Sequence, residues 1–74
     1  MGKGSKRLKI ANNIRRLRFD ADEMTQAQLA QATGVTRQTI AAIEKARYAP
    51  TLELAFLIAD AFAKPLDEVF FREE

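Results

Sequence analysis

The sequence predicts an all-α domain of five helices. Three observations predict it. Apolar residues recur at helical spacing along most of the chain, β-branched alternation is sustained nowhere, and Thr residues stand just ahead of three periodic segments, where N-caps belong. The 74 residues, 47% apolar, suffice for one small core near the lower limit of independent folding. Cys and His are absent. Disulfides and the usual zinc ligands are therefore excluded as supports, which leaves oligomerisation.

Helix one is predicted from about Lys6–Leu8 to Phe19, with Ile10, Ile14 and Leu17 as its buried stripe. The acidic stretch Asp20-Ala21-Asp22-Glu23 follows as a loop. Helix two opens on Thr25, and Gln28 three residues on has capping-box spacing. Leu29 and Ala30 face inward, and Gly34 ends the helix where a left-handed residue is wanted. Helix three opens on Thr36 and runs to about Lys45. Arg37, Gln38, Ala41, Ala42 and Lys45 share an arc of about 140° around it, and Ile40 and Ile43 lie on the other side.

Helix four is capped by Thr51, just after Pro50, and runs from Leu52 to about Ala63. Leu52, Ala55, Phe56, Ala59 and Phe62 form one apolar stripe; Leu54, Leu57, Ile58 and Ala61 form a second. A helix apolar nearly all round is buried on more than one side, and so short a chain has few elements to cover both stripes. A second copy is the expected cover. Pro65 opens a short fifth helix to about Val69. The aromatic end, Val69-Phe70-Phe71-Arg72-Glu73-Glu74, is either a last helical turn or a strand pairing with its partner copy. The predicted dimer interface is Leu54, Leu57, Ile58, Ala61, Phe70 and Phe71.

Two short helices joined by a tight turn, the second with a polar, small-residue outer face, make a helix-turn-helix over residues 25–45. This unit places one helix in the DNA major groove. Charge supports the reading. Residues 1–49 hold ten Lys and Arg against four acids, and residues 50–74 hold two bases against six acids. The net charge of +2 hides that polarity, and a basic half suits a polyanionic partner. The expected organisation is a flexible basic arm over residues 1–7 and one DNA-binding domain over 8–74, with its C-terminal part serving dimerisation. Lys6, Arg7, Lys9, Arg15 and Arg16 are candidates for phosphate contact or, from the arm, minor-groove contact.

Other classes fare worse. No apolar run approaches the roughly 20 residues that span a bilayer, and the first apolar segment is too broken by charge for a signal peptide. A cytoplasmic protein with no membrane partner is expected. Asp20, Asp22 and Glu23 lack the Gly and further ligands of a calcium loop, so no metal is expected. Without His, Cys, a phosphate-cradling Gly loop or a carboxylate pair in an apolar pocket, neither catalysis nor a cofactor is expected.

The chain resembles the Cro/repressor-type helix-turn-helix family, the XRE-like regulators, and among them the short stand-alone members. The resemblance is carried by Ile14-Arg15-Arg16-Leu17-Arg18, then Met24-Thr25-Gln26-Ala27-Gln28-Leu29-Ala30, then Gly34-Val35-Thr36-Arg37-Gln38-Thr39-Ile40. Ile43-Glu44, Arg47, Pro50 and Leu66-Asp67-Glu68-Val69-Phe70 complete it. It implies a five-helix lambda-repressor-like fold with helix three in the major groove of double-stranded DNA. By resemblance, Arg37, Gln38, Ala41 and Ala42 occupy base-reading positions. Gln26, Thr36, Thr39, Lys45 and Arg47 fall at positions beside the DNA backbone, with Arg16 added from helix one. Arg18 and Glu44 match a pair that links helix one to helix three, expected here as a partly buried bridge that orients helix three.

Three features depart from the family pattern. The loop Phe19–Glu23 is one residue longer than usual, which leaves the Arg18 assignment open by one position. Ala46 and Ala63 stand where relatives commonly carry Gly after helices three and four. A Cβ at positive φ costs ~1 kcal/mol, so the turn after helix three is either rebuilt or the helix extended.

The functional expectation is a homodimeric, sequence-specific DNA-binding repressor on a near-palindromic operator. Arg37 can reach guanine O6 and N7 with two prongs, and Gln38 can pair with adenine N6 and N7. Ala41 and Ala42 allow close approach and contact with thymine methyls. The rival expectation is a protein-interaction adaptor, or an antitoxin, that docks a second protein on the apolar surface of helix four and the aromatic tail.

Overall fold

The computed structural model describes residues 8–47 and 49–73. The basic arm expected over residues 1–7, with Lys6 and Arg7, lies outside the described residues. Five helices and two short strands follow in the order β1 (Ile10–Asn12), α1 (Ile14–Asp20), α2 (Gln26–Thr33), α3 (Arg37–Glu44), α4 (Leu52–Phe62), α5 (Leu66–Val69) and β2 (Phe70–Arg72). Six side chains are sealed almost completely: Ile14, Leu29, Ile40, Ile43, Ile58 and Val69. Every helix contributes at least one of them, so the core is a single junction of all five. Burial of each such side chain is worth roughly 1.5–3 kcal/mol.

The helix starts follow from their caps. Thr25 accepts from the Gln28 N–H at 3.0 Å, and the Gln28 side chain accepts from the Thr25 N–H at 2.8 Å, a complete capping box. Thr36 and Thr51 cap α3 and α4 in the same way, accepting from Thr39 and Leu54 at 3.2 and 3.1 Å.

The ends of α2, α3 and α4 share one device. Gly34 closes α2 at φ 80°, and a Cβ placed there would meet nothing within 4 Å, so only backbone conformation requires glycine. Ala46 closes α3 at φ 57° and Ala63 closes α4 at φ 55°. Arg47 N–H donates to Ala42 O and Ala46 N–H to Ile43 O, at 3.0 and 2.9 Å; Lys64 and Ala63 repeat the pattern on Ala59 and Asp60. These are Schellman closures with alanine in the left-handed position. The turn after α3 is thus neither rebuilt nor replaced by a longer helix. It keeps its shape, and the strain stays in the backbone.

Helix one begins later than its apolar spacing predicts. Ile10 belongs to a strand, and α1 starts at Ile14. Asn12 and Asn13 are the reason. Asn competes with the helix by bonding nearby backbone groups, and Asn12 Oδ1 accepts from Ile14 N–H at 3.1 Å. The preceding residues pair with the C-terminus instead. β1 and β2 are antiparallel, with Ile10 opposite Arg72, Ala11 opposite Phe71 and Asn12 opposite Phe70. Glu73 N–H on Lys9 O and Asn13 N–H on Val69 O extend the ladder at 2.8 and 2.9 Å. The aromatic end is therefore a strand, but its partner is β1 of the same chain, and the expected pairing with a second copy is replaced.

Helix α4 divides its apolar surface differently from the two predicted stripes. Ala55, Ile58, Ala59 and Phe62 enter the core, whereas Leu52, Phe56 and Leu57 remain exposed. Ile58 is 0% exposed within the single chain. It has no surface to give a partner, which removes it from the predicted interface. No helix among the described residues is long and apolar enough to cross a membrane.

Candidate nucleic-acid interface

Helix α3 buries Ile40 and Ile43 and turns its opposite side outward. At its N-terminal tip Arg37 and Gln38 are exposed, with Thr36 exposed beside them and Thr39 half-buried. One turn further, Ala41 and Ala42 are half-buried. They present methyl groups only, so nothing bulky stands between the α3 backbone and an approaching surface. The Schellman closure then leaves Lys45 and Arg47 exposed just beyond the helix. The structure thus gathers four exposed cationic or amide side chains at the two ends of one helix, separated by a low alanine saddle.

A chain of polar contacts holds that helix. The Arg18 guanidinium donates from Nε to Glu44 Oε2 at 2.5 Å and from Nη2 to Oε1 at 3.1 Å. Its third nitrogen donates to Met24 O at 2.8 Å, which ties down the loop before α2. Gln26 Nε2 donates to Glu44 Oε1 at 3.2 Å, and Gln26 Oε1 accepts from Arg37 Nη1 at 3.4 Å. Each link constrains the next. The carboxylate takes the amide nitrogen of Gln26, so the amide oxygen must point toward Arg37. Planar, forked donors of the arginine type suit this task because both prongs can be engaged at once. No buried side-chain nitrogen or oxygen among the described residues lacks a partner.

The loop between α1 and α2 contributes backbone shape. Asp22 and Glu23 both adopt positive φ, 61° and 57°. Met24 N–H returns to Arg18 O at 2.8 Å, so the acidic loop is folded back on the residue that grips Glu44. No group of three or more metal-ligating side chains occurs among the described residues.

Arg16 is not brought to this group. It lies two positions from Arg18, about 160° away around α1, and reaches Asp20 at 3.8 Å with 79% of its side chain exposed. It shares a depression with Asp67 and Glu68 of α5. Arg15 lines a depression with Arg18, Glu23 and Met24 and shares a second one with Arg16, Asn12 and Asn13. The exposed acids Glu53, Asp60, Asp67 and Glu68 are carried by α4 and α5.

Sequence reasoning missed Asn12 and Asn13. Asn12 Nδ2 donates to Ile43 O at 2.9 Å, at the C-terminal end of α3. Asn13 Nδ2 donates to Glu68 O at 3.1 Å, in α5. The available signal was the Asn-Asn doublet itself, a weak helix sequence placed inside an expected helix.

The predicted interface residues other than Ile58 lie on or near the surface. Leu57 and Phe71 are 42% and 40% exposed, and Leu54, Ala61 and Phe70 are half-buried. Of these residues Phe70 alone lines a shallow apolar groove, together with Ile10, Pro50, Leu52, Phe56 and Leu66, among others.

Comparison with known proteins shows the family. The sequence profile of the family described as Helix-turn-helix matches residues 14–69. An uncharacterised HTH-type transcriptional regulator of Methanocaldococcus jannaschii is 49% identical over 51 residues, 69% of this chain and 77% of the relative. The uncharacterised HTH-type transcriptional regulator YgzD of Bacillus subtilis is 50% identical over 50 residues, 68% of this chain and 76% of its own. A third, from Methanothermobacter thermautotrophicus, is 48% identical over 52 residues, 69% and 75% of the two chains.

Proposed function

The chain belongs to the XRE-type helix-turn-helix family of DNA-binding regulators, and from that premise we propose that it is a homodimeric repressor. Two copies of α3 enter successive major grooves of a near-palindromic operator, about one helical turn (~34 Å) apart. Arg37 and Gln38 read base edges, and Ala41 and Ala42 admit the helix and meet thymine methyls. Gln26, Thr36, Thr39, Lys45 and Arg47 hold the phosphates, joined by Arg15 in place of Arg16. The observation that carries this reading is the exposure of Arg37 and Gln38 at the tip of a helix whose base is gripped by Arg18 through Glu44.

Occupying an operator blocks polymerase without further chemistry, so repression is the output assigned. The protein acts by binding, without catalysis, metal or cofactor, and works in the cytoplasm. Dimerisation uses the outward side of α4 and the C-terminal strand, with Leu57 and Phe71 at its centre and Leu54, Ala61 and Phe70 at its margin. The exposed Leu52 and Phe56 favour one second reading, a docking face for another protein, as in an adaptor or antitoxin.

Binding of a selected duplex, followed by fluorescence anisotropy across salt concentrations and by sedimentation, tests the proposal. Two protomers per duplex, with affinity falling steeply with salt, are expected. A protomer that binds every duplex equally weakly but captures a protein partner favours the second reading.

A further inference from the structure

The last carbonyls of a helix have no donors within it. In α3, Ala42 O and Ile43 O accept from the N–H groups of Arg47 and Ala46 in the closing turn. One side chain among the described residues also donates to the carbonyls at this end. Asn12 Nδ2 lies 2.9 Å from Ile43 O and 3.5 Å from Glu44 O. The same side chain is fixed at its other atom, where Oδ1 accepts from Ile14 N–H at 3.1 Å. Asn12 therefore cannot swing without releasing either the start of α1 or the end of α3.

Asn12 is also a ribbon residue. It stands opposite Phe70 in the β1–β2 register. Asn13, next to it, bonds Val69 O through its N–H and Glu68 O through its side chain. The doublet thus holds α3 with one residue and the α5–β2 junction with the other. The C-terminal segment and the end of α3 meet at two consecutive amides, far apart in sequence from both.

We propose that Asn12 is a positioning residue for DNA reading, through which the β1–β2 ribbon sets the angle of α3. The inference rests on the reading of α3 as the recognition helix. Arg18 fixes α3 through the Glu44 side chain, and Asn12 fixes it through the main chain; together they define a pivot. Arg37 lies seven residues from Glu44, roughly 10 Å along the axis, so a tilt of about 10° at the pivot moves the tip by about 2 Å. That exceeds what a two-pronged hydrogen bond to a base edge tolerates. Phosphate contacts by long, flexible cations are far less demanding.

Asn12→Asp and Asn12→Ala in the full chain test this. Asp keeps the acceptor for Ile14 N–H but sets an anion against two carbonyl oxygens. Each variant is titrated, at a temperature where circular dichroism shows it fully folded, against the duplex selected by the unmodified protein and against a random-sequence duplex of equal length. Asn12→Asp is expected to weaken the selected duplex by about tenfold, with Asn12→Ala weaker in effect. For the charge-neutral Asn12→Ala, affinity for the random duplex stays within about twofold because the cations are untouched; Asn12→Asp adds an anion beside Lys9 and Arg47 and loses a further factor common to both duplexes. Carbonyl carbon shifts of Ile43 and Glu44 in the free protein move as well. Equal losses on both duplexes, or no loss on either, overturn the proposal. Failure of the unmodified protein to select any duplex overturns the DNA reading itself and the positioning role with it, and that outcome is visible before any variant is made.

Discussion

Arg18 and Glu44 form a two-pronged ion pair that joins α1 to the last turn of α3, with side chains only 17% and 8% exposed. Removing one partner strands the other charge in a dry site. Arg18→Ala is therefore expected to destabilise the domain by about 3 kcal/mol or more. The paired change Arg18→Met with Glu44→Leu recovers most of that loss, since apolar replacements remove the desolvation cost with the pair. Urea unfolding measures both. In protein that remains folded, α3 loosens before base preference changes. Unaltered stability in Arg18→Ala, with unaltered preference, contradicts the bridging role.

Two alanines hold the left-handed conformation at φ 57° and 55°. Ala46→Gly and Ala63→Gly relieve that strain and are each expected to stabilise by about 0.5–1 kcal/mol, reduced somewhat by the extra freedom of an unfolded glycine. For a domain of this size the melting temperature rises on the order of 2–8 °C per site. Gly34→Ala is the reverse experiment and should cost a similar amount, because no neighbour stands within 4 Å of the new methyl group. Thermal melts of the three variants give the answer.

Base reading and phosphate holding separate by mutation. Arg37→Ala or Gln38→Ala relaxes specificity at one base pair of each half-site by about 1–3 kcal/mol. Lys45→Ala or Arg47→Ala weakens all duplexes alike and lowers the slope of log affinity against log salt by about one. Titration of a set of single-base operator variants at several salt concentrations distinguishes the two patterns.

The proposed dimer interface makes its own prediction. Leu57→Lys and Phe71→Lys change side chains 42% and 40% exposed, so the protomer folds normally and the dimer weakens. Ile58→Lys changes a side chain with no exposure and unfolds the protomer, since a buried unpaired charge is not tolerated. Sedimentation and circular dichroism on the same samples settle the matter. A dimer unaffected by both surface changes moves the interface elsewhere.

Helix caps were legible in the sequence because they are local. Thr25 with Gln28, Thr36, Thr51 and Gly34 each need only neighbours within one turn, and each has the predicted geometry. The ribbon was not legible. Its strands are three residues each, too short to show alternation, and their pairing joins Ile10–Asn12 to Phe70–Arg72 across nearly the whole chain. The late start of α1 was hidden because Ile10 falls by coincidence on the Ile14–Leu17 helical stripe. Glu44 was expected to meet Arg18. Its additional bond to Gln26, and through it to Arg37, depends on side-chain geometry that spacing does not encode.

Selection from random duplex DNA, run in parallel on the unmodified chain and on Arg37→Ala, asks whether α3 reads base pairs. The expected result is a near-palindromic consensus with half-sites about one helical turn apart, in which one position per half-site loses its preference in the variant. No enrichment from the unmodified chain, or the same consensus from both proteins, contradicts the assignment of α3 as the helix that reads DNA.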